Sequence, residues 1–466
     1  MLSCFAPDQH ERRGNAGIAD QCCRDNPNDK AEPKITHGYT LVSNIPFRAA
    51  CETIRDVVDR EAAEPSIGGY GPAPILVSLE CHCGPEGQLR LVEIMKEVWG
   101  DRLLSAPVRT GDPGEQDGCA VRLDALGSKI AVIVEYHLPN EVDDSSNSTS
   151  SSSSSDSEED KEARAQYKAR KKAVPPPTII PELAKLGVYA QSVKPRDSSW
   201  YVDGKIKDGP PEHHLINISE SGLAPQARQH TAEIAQHNTR HLMRVFPKGT
   251  RISSQNLSPI PFWAVGAQIC ALNWQTFGLG MQLNDALFVG SSGYVLKPAA
   301  LRLGGDGLTS LHARRRVLRL RVAGASDIPL PKGREVEDLK PYLTCTLLQP
   351  GAGTELLKAK QKTAAYHRRK ILSLPFLRHL GGRGENPAQT DPIWDETLEW
   401  EFDDNELVFL RMLIKSDDSF SSNPILVVAA VRLLYVQSGW KFVRMLDLKG
   451  HDTPCSLLVK FDVHDV

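Results

Sequence analysis

The chain has 466 residues, 40% hydrophobic and 24% charged, with a formal net charge of -3. That is ordinary for a globular protein with room for two or three cores, and it lacks the basic excess of a nucleic-acid binder. Ten cysteines are too sparse for a disulfide scaffold and read as reduced thiols of a cytosolic protein. The N-terminus carries no apolar stretch of signal-peptide length, and the longest apolar run, from Ile425 to Val436, contains Arg432 and is too short for a transmembrane segment. Any membrane contact is therefore expected to be peripheral.

Residues 1–30 read as an atypical, loop-rich N-terminal segment. From Lys34 the pattern alternates. Lys34–Tyr39 reads as a strand and Pro46–Arg60 as a helix with Ala50, Ile54, Val57 and Val58 on one face. Pro74–Glu80 reads as a buried strand, Gly87–Trp99 as an amphipathic helix, and Lys129–Tyr136 as another continuous apolar strand. Apolar strands flanked by helices indicate an α/β region with a parallel sheet covered on both sides. His37 and Glu80 each close a predicted strand, the position where parallel barrels carry their chemistry. His and Glu are also common proton-transfer and metal-binding side chains. The residues alone leave open a core histidine and a surface glutamate.

Residues 141–160 then carry seven acids, no base and a run of serines, and six basic residues follow between Lys161 and Lys172. Residues 141–177 thus read as a disordered acidic, Ser-rich linker. The alternation resumes with a strand at Leu186–Val193, a long helical segment at Leu223–Arg244, and strands at Ala267–Gln275 and Gly293–Pro298. The linker interrupts one α/β domain, because neither side holds enough strands to close a barrel. Beyond about Val317 the period changes to two. Strands are expected at Val317–Ala323, Tyr342–Leu348, Thr397–Phe402, Val408–Lys415, Ile425–Leu434 and Ser456–Val463, the spacing of an antiparallel β-sandwich.

Several blocks carry a resemblance. Thr36-His37-Gly38-Tyr39-Thr40 and Ser78-Leu79-Glu80-Cys81-His82-Cys83 resemble the second half of the X region of eukaryotic, fungal-type phosphoinositide-specific phospholipase C. Ser254–Pro298 resembles the Y region of that family, through Asn256-Leu257-Ser258-Pro259, Trp263, Gly266, Gln268, Ala271-Leu272-Asn273 and Gly293-Tyr294-Val295-Leu296-Lys297-Pro298. The acidic linker and the trailing sandwich complete the order of parts. The resemblance implies a partial X-box at 31–140, a Y-box at 178–303 and a C2 domain at 311–466. The fold it implies is a distorted TIM barrel split into X and Y halves, followed by an antiparallel β-sandwich C2 domain.

The implied reaction is hydrolysis of phosphatidylinositol 4,5-bisphosphate to diacylglycerol and inositol 1,4,5-trisphosphate at the cytoplasmic membrane face, with Ca²⁺ as cofactor. By motif, His37 corresponds to the family's second catalytic histidine, and Glu80 to a calcium-ligating carboxylate and candidate base. Arg244 matches a phosphate-binding arginine. Phe246 stands where a tyrosine stacks on the inositol ring, and Asn217 or Ser219 takes the position of a substrate-contacting serine.

The departures are as informative. The family's Ser-His-Asn-Thr and Leu-Glu-x-Asp blocks have no counterpart in residues 1–30, which offer only His10 and Asp29. The X region therefore reads as truncated, with its first barrel strands missing and its calcium ligands incomplete. Ile133 and Glu135 replace two phosphate-binding lysines, and Glu135 would repel substrate phosphates. A catalytically impaired relative that binds lipid or a partner is the alternative reading; a generic barrel hydrolase leaves the Y block unexplained. Cys81-His82-Cys83 lacks the second ligand pair of a zinc site and reads as packing. Pro392-Ile393-Trp394 reads as the anchor of a C2 strand. Lys340 replaces an expected loop aspartate, so the sandwich reads as structural rather than calcium-sensing.

Overall fold

Ile130–Glu135 buries five of its six residues, which is what a central strand covered on both faces requires. The computed structural model describes residues 32–35, 45–63, 72–108, 121–138, 178–206, 213–248, 255–307, 313–368, 386–417 and 424–466. The expected linker, residues 36–44 and the whole N-terminal segment, 1–30, lie outside the described residues.

In chain order the first part forms β1 (Lys34–Ile35), β2 (Ile45–Pro46), α1 (Phe47–Ala63), β3 (Ile75–Ser78), α2 (Pro85–Trp99), α3 (Leu123–Leu126) and β4 (Ile130–Glu135). After the break follow α4 (Pro181–Ala184), β5 (Gln191–Val193), α5 (Ser199–Val202), β6 (His214–Ser219), α6 (Glu220–Gln229), α7 (Thr231–His237), β7 (Leu242–Phe246), α8 (Ile260–Ala264), β8 (Ile269–Cys270) and α9 (Leu279–Phe288). Strands β3 to β8 pair side by side in chain order, all parallel. The expected break between halves is thus bridged by the β4–β5 pair, Val134 with Gln191 and Glu135 with Ser192.

Side-chain alternation divides this sheet into an inside and an outside. Ile216, Ile218, Met243 and Val245 pack outward into a cluster with Leu223, Ala227 and Ile234 of the covering helices. Leu215, Ile133 and Ile269, with Leu76 and Leu242 against them, form a separate small cluster that floors the lumen. Fully buried Gln88 fastens α2 to the segment entering α4, donating to the carbonyls of Cys83 and Thr178 and accepting from the Ile180 amide at 2.9 Å.

Five expectations change, the first being the strand expected at Leu186–Val193, which shrinks to the three residues of β5. The strand expected at Lys34–Tyr39 is described only as β1, which pairs antiparallel with β2 outside the parallel sheet. The long helix expected at Leu223–Arg244 breaks at His230, whose backbone leaves the helical region (φ -132°, ψ 42°), and its last residues belong to β7. Ala267–Gln275 shrinks to the two residues of β8, and Gly293–Pro298 is irregular. No helix among the described residues is long and apolar enough to cross a membrane.

The C-terminal part is the expected antiparallel sandwich. Its strands are β9 (Arg314–Ser326), β10 (Pro341–Pro350), β11 (Leu356–Lys362), β12 (Ile393–Asp404), β13 (Phe409–Ser416), β14 (Ile425–Arg432), β15 (Gly439–Leu446) and β16 (Asp452–Asp465). The order β11-β10-β13-β14-β15-β16-β9-β12 is joined in the middle by one pair, Val428 with Leu446. Two four-stranded layers thus enclose Leu320, Leu343, Trp400, Met412, Val427 and Phe461. The indole of Trp394 donates to the Pro341 carbonyl at 3.2 Å, anchoring the start of β12 to β10.

The two parts share a core. Leu348, Leu407 and Phe409 of the sandwich join the outer cluster of the barrel, with the Phe409 ring 5.9 Å from that of Trp263. Arg411 donates to Gln282 on α9 at 2.7 Å, and the Tyr435 hydroxyl to the Leu287 carbonyl at 3.0 Å. Gly353 sits at φ 59° against α6, where a Cβ would come within 2.7 Å of the Arg228 backbone. Removing a fully buried aromatic ring leaves a cavity that packing cannot close. Phe409→Ala should therefore lower unfolding stability by about 3–5 kcal/mol, and should do so for barrel and sandwich together in urea denaturation.

Candidate functional site

The C-terminal ends of β3 to β7 converge above the apolar floor. Two residues beyond Ile133, Leu215 and Leu242, the same side of the sheet carries Glu135, Asn217 and Arg244. The parallel register sets Asn217 opposite Arg244 and Ser219 opposite Phe246. One Arg244 nitrogen donates to the Asn217 side-chain oxygen at 3.0 Å, and another lies 3.5 Å from the Glu80 carboxylate. The guanidinium also rests over the Phe246 ring, 5.6 Å from its centroid. Arg244 is thus mostly enclosed, with 16% of its side chain exposed against 57% for Glu80.

Of the residues singled out from the sequence, Glu80, Asn217, Arg244 and Phe246 come together here. Ser219 stands at the same rim, but its hydroxyl accepts the Gly222 amide at 3.0 Å as the N-cap of α6. Between the two positions left open for a substrate-facing side chain, Asn217 is therefore the one that touches Arg244. His37 lies outside the described residues.

Glu135 also has a structural partner. It is half-buried, and its carboxylate accepts the Cys81 amide at 3.0 Å, so it braces the segment that carries Glu80. Burial raises its pKa; the Cys81 hydrogen bond and the nearby Lys194 oppose that rise, and Glu80 adds to it. Lys194, one residue beyond β5, brings positive charge to this rim; the strand before it is legible in the sequence, but no motif marks this lysine. Ile133 is 2% exposed in the floor. Cys81 and Cys83 are buried beside Phe47, Leu91 and Met95, as packing residues are.

Among the described residues, Glu80 belongs to no group of three metal-ligating side chains. In the sandwich, the Asp338 carboxylate is engaged by the Glu335 amide at 3.2 Å in a capping box, and Asp417 donates its amide to the Lys340 carbonyl at 2.9 Å.

Comparison with known proteins agrees with this architecture. Residues 18–136 match the X domain of phosphatidylinositol-specific phospholipase C, and residues 183–300 match its Y domain; together the matches cover about half of the chain. The chain belongs to the phosphatidylinositol-specific phospholipase C family. It is 28% identical over 461 residues to 1-phosphatidylinositol 4,5-bisphosphate phosphodiesterase 1 of Candida albicans, covering 90% of this chain and 40% of the relative. It is also 28% identical over 456 residues to the delta-1 phosphodiesterase of Rattus norvegicus, covering 95% and 55%. The crystal structure of L. pealei PLC21 superposes with a TM-score of 0.67 at 20% identity, over 94% of this chain and 50% of that one. The fold is therefore a TIM-like X–Y barrel followed by a C2 sandwich, and the chain spans about half the length of the curated relatives it matches.

Glu135 gives a test of the rim. Glu135→Leu strands the Cys81 amide and should lower stability by about 1–3 kcal/mol, whereas Glu135→Gln keeps an acceptor and should lose less than about 1 kcal/mol, both read by urea titration.

Proposed function

We propose that this chain is a phosphoinositide phospholipase C, cleaving phosphatidylinositol 4,5-bisphosphate to diacylglycerol and inositol 1,4,5-trisphosphate in intracellular signalling. In this reading it works as a peripheral protein at the cytoplasmic face of a membrane. The observation that carries the proposal is the enclosed Arg244, held by Asn217 and the Phe246 face where the strand ends converge. An ion pair with so exposed a carboxylate contributes at most about 1 kcal/mol. A ring phosphate, offering several charged oxygens in a fork geometry, is a better partner and would take the guanidinium from Glu80.

The proposed chemistry begins with attack of the inositol 2-hydroxyl on phosphorus. The bond to the glycerol oxygen breaks, diacylglycerol leaves, and water opens the resulting cyclic phosphate. His37 stabilises the crowded phosphate or moves a proton, Arg244 and Asn217 bind a ring phosphate, and Phe246 offers an apolar face to the inositol ring. Glu80, freed from Arg244, is the carboxylate available as base or calcium donor. Calcium takes roughly six to eight oxygens; among the described residues Glu80 stands here in no group of three metal-ligating side chains, and the Glu135 carboxylate is engaged by the Cys81 amide. That set does not fit the ion by itself, and no step here is routed through it.

The test is release of inositol phosphates from phosphatidylinositol 4,5-bisphosphate vesicles by the purified full chain with calcium. His37→Ala should lower the rate by about 100- to 10,000-fold, the usual worth of a proton-transfer residue. If the unsubstituted chain releases no more than His37→Ala, the enzymatic reading is wrong. Arg244→Gln should weaken binding of soluble inositol trisphosphate by about 10- to 100-fold in calorimetry, from loss of charge-assisted hydrogen bonds.

A further inference from the structure

At the other end of the barrel, three histidines from β6, α7 and the turn before β7 meet. His214 is the first residue of β6, His237 the last of α7, and His241 directly precedes β7. One nitrogen from each lies within 4.8 Å of the others. His214 and His237 are buried, and His241 is half-buried. The His241 amide donates to the His237 carbonyl at 3.1 Å, a single helical turn that stacks the two rings 4.8 Å apart. The His214 ring stacks on His241 at 3.9 Å.

We propose that His214, His237 and His241 form a structural site for a zinc-class divalent transition-metal ion that fastens the N-terminal ends of β6 and β7 to α7. Three features of the geometry support it. The Nε2 atoms of His214 and His237 are 3.1 Å apart. Two metal–nitrogen bonds of about 2.0–2.1 Å would span that gap at an angle near 100°, between octahedral and tetrahedral values.

Asn238 supplies the outer support that metal-binding histidines need. Its side-chain nitrogen donates to the Val265 carbonyl at 2.8 Å, which turns its oxygen toward His237 Nδ1 at 3.0 Å. His237 Nδ1 is therefore the protonated nitrogen, and Nε2 carries the lone pair, which accepts from His214 Nε2 in a hydrogen bond that an ion would replace. The Asn238 backbone is held as well, its carbonyl accepting Gln268 and Lys297, each at 2.8 Å.

Packing also encloses the site, because Trp200 meets the His237 ring edge-on at 4.8 Å. An all-imidazole set suits zinc, copper, nickel or iron and has none of the oxygens that calcium or magnesium takes. With three protein ligands and His241 reaching solvent, water completes the coordination.

In sequence the signal is His237-Asn238-Thr239-Arg240-His241, two histidines four apart at a helix end, joined by His214 from the preceding strand. The site stands at the N-terminal face of the strands, where barrels invest in stability, and does not depend on the lipase reading.

The decisive experiment titrates Co²⁺ into the chelator-stripped full chain and follows visible absorption. One equivalent should give the intense d–d bands of a four-coordinate ion, and Zn²⁺ should displace it and raise Tm by a few degrees at excess metal. His241→Gln, at the most exposed position of the three, should weaken binding more than about 100-fold, while His230→Gln, outside the trio, should leave it unchanged. A featureless or pale octahedral Co²⁺ spectrum in the unsubstituted chain would mean a hydrogen-bonded histidine stack only, and would overturn the proposal. Equal uptake by His241→Gln would do the same.

Discussion

A parallel sheet whose outer strands share no ladder has to be held curled by something other than its backbone. Among the described residues, β3 and β8 are such outer strands. Two side-chain ties work on β3 from its two ends. At the start, the Tyr294 hydroxyl donates to the Pro74 carbonyl at 2.7 Å. Beyond its end, Glu80 reaches Arg244 on β7, four strands along the sheet. The first tie is half-buried and neutral and acts as a clasp. The second is exposed on one side and weak, so it can be released without opening the sheet. Structure and candidate chemistry thus draw on the same curl at different depths.

The elements most legible in the sequence are those with buried faces. Ile130–Glu135 and α2 were readable because a fully covered strand is apolar throughout and a covering helix repeats every three to four residues. Strand β11, with Lys358, Lys360 and Lys362, escaped notice because edge strands carry charge that blocks further pairing. Strand β15 was hidden for a related reason: Trp440 and Phe442 are exposed, reversing the pattern that marks a core face. The helix expected through Leu223–Arg244 absorbed β7 because LMRVF is too short to declare a period against the helical residues before it.

For the candidate site, motif resemblance supplied the residue names and the structure supplied their company. Arg244, Asn217 and Phe246 are adjacent because parallel register pairs β6 with β7, a relation between residues 27 apart in sequence that no local pattern encodes. Glu135 looked like a misplaced charge when weighed only against a substrate. Its bond to the Cys81 amide gives it a supporting role in the turn after β3. The capping role of Ser219 likewise could not be told from the sequence, which fitted Asn217 and Ser219 equally well to one motif position.

The β4–β5 pair has a different kind of consequence. These neighbours are joined through residues 136–190, yet their alignment is fixed by the parallel pairing of Val134 with Gln191 and Glu135 with Ser192, and by the bonds of Gln88 to Thr178 and Ile180. Joining two halves in one chain raises the local concentration of one around the other, at an entropic cost that grows only logarithmically with the length between them. The barrel is in that sense two cooperating polypeptides translated as one. Among the described residues, the contacts that align the two halves all lie outside 141–177, so a cut within that stretch would remove none of them.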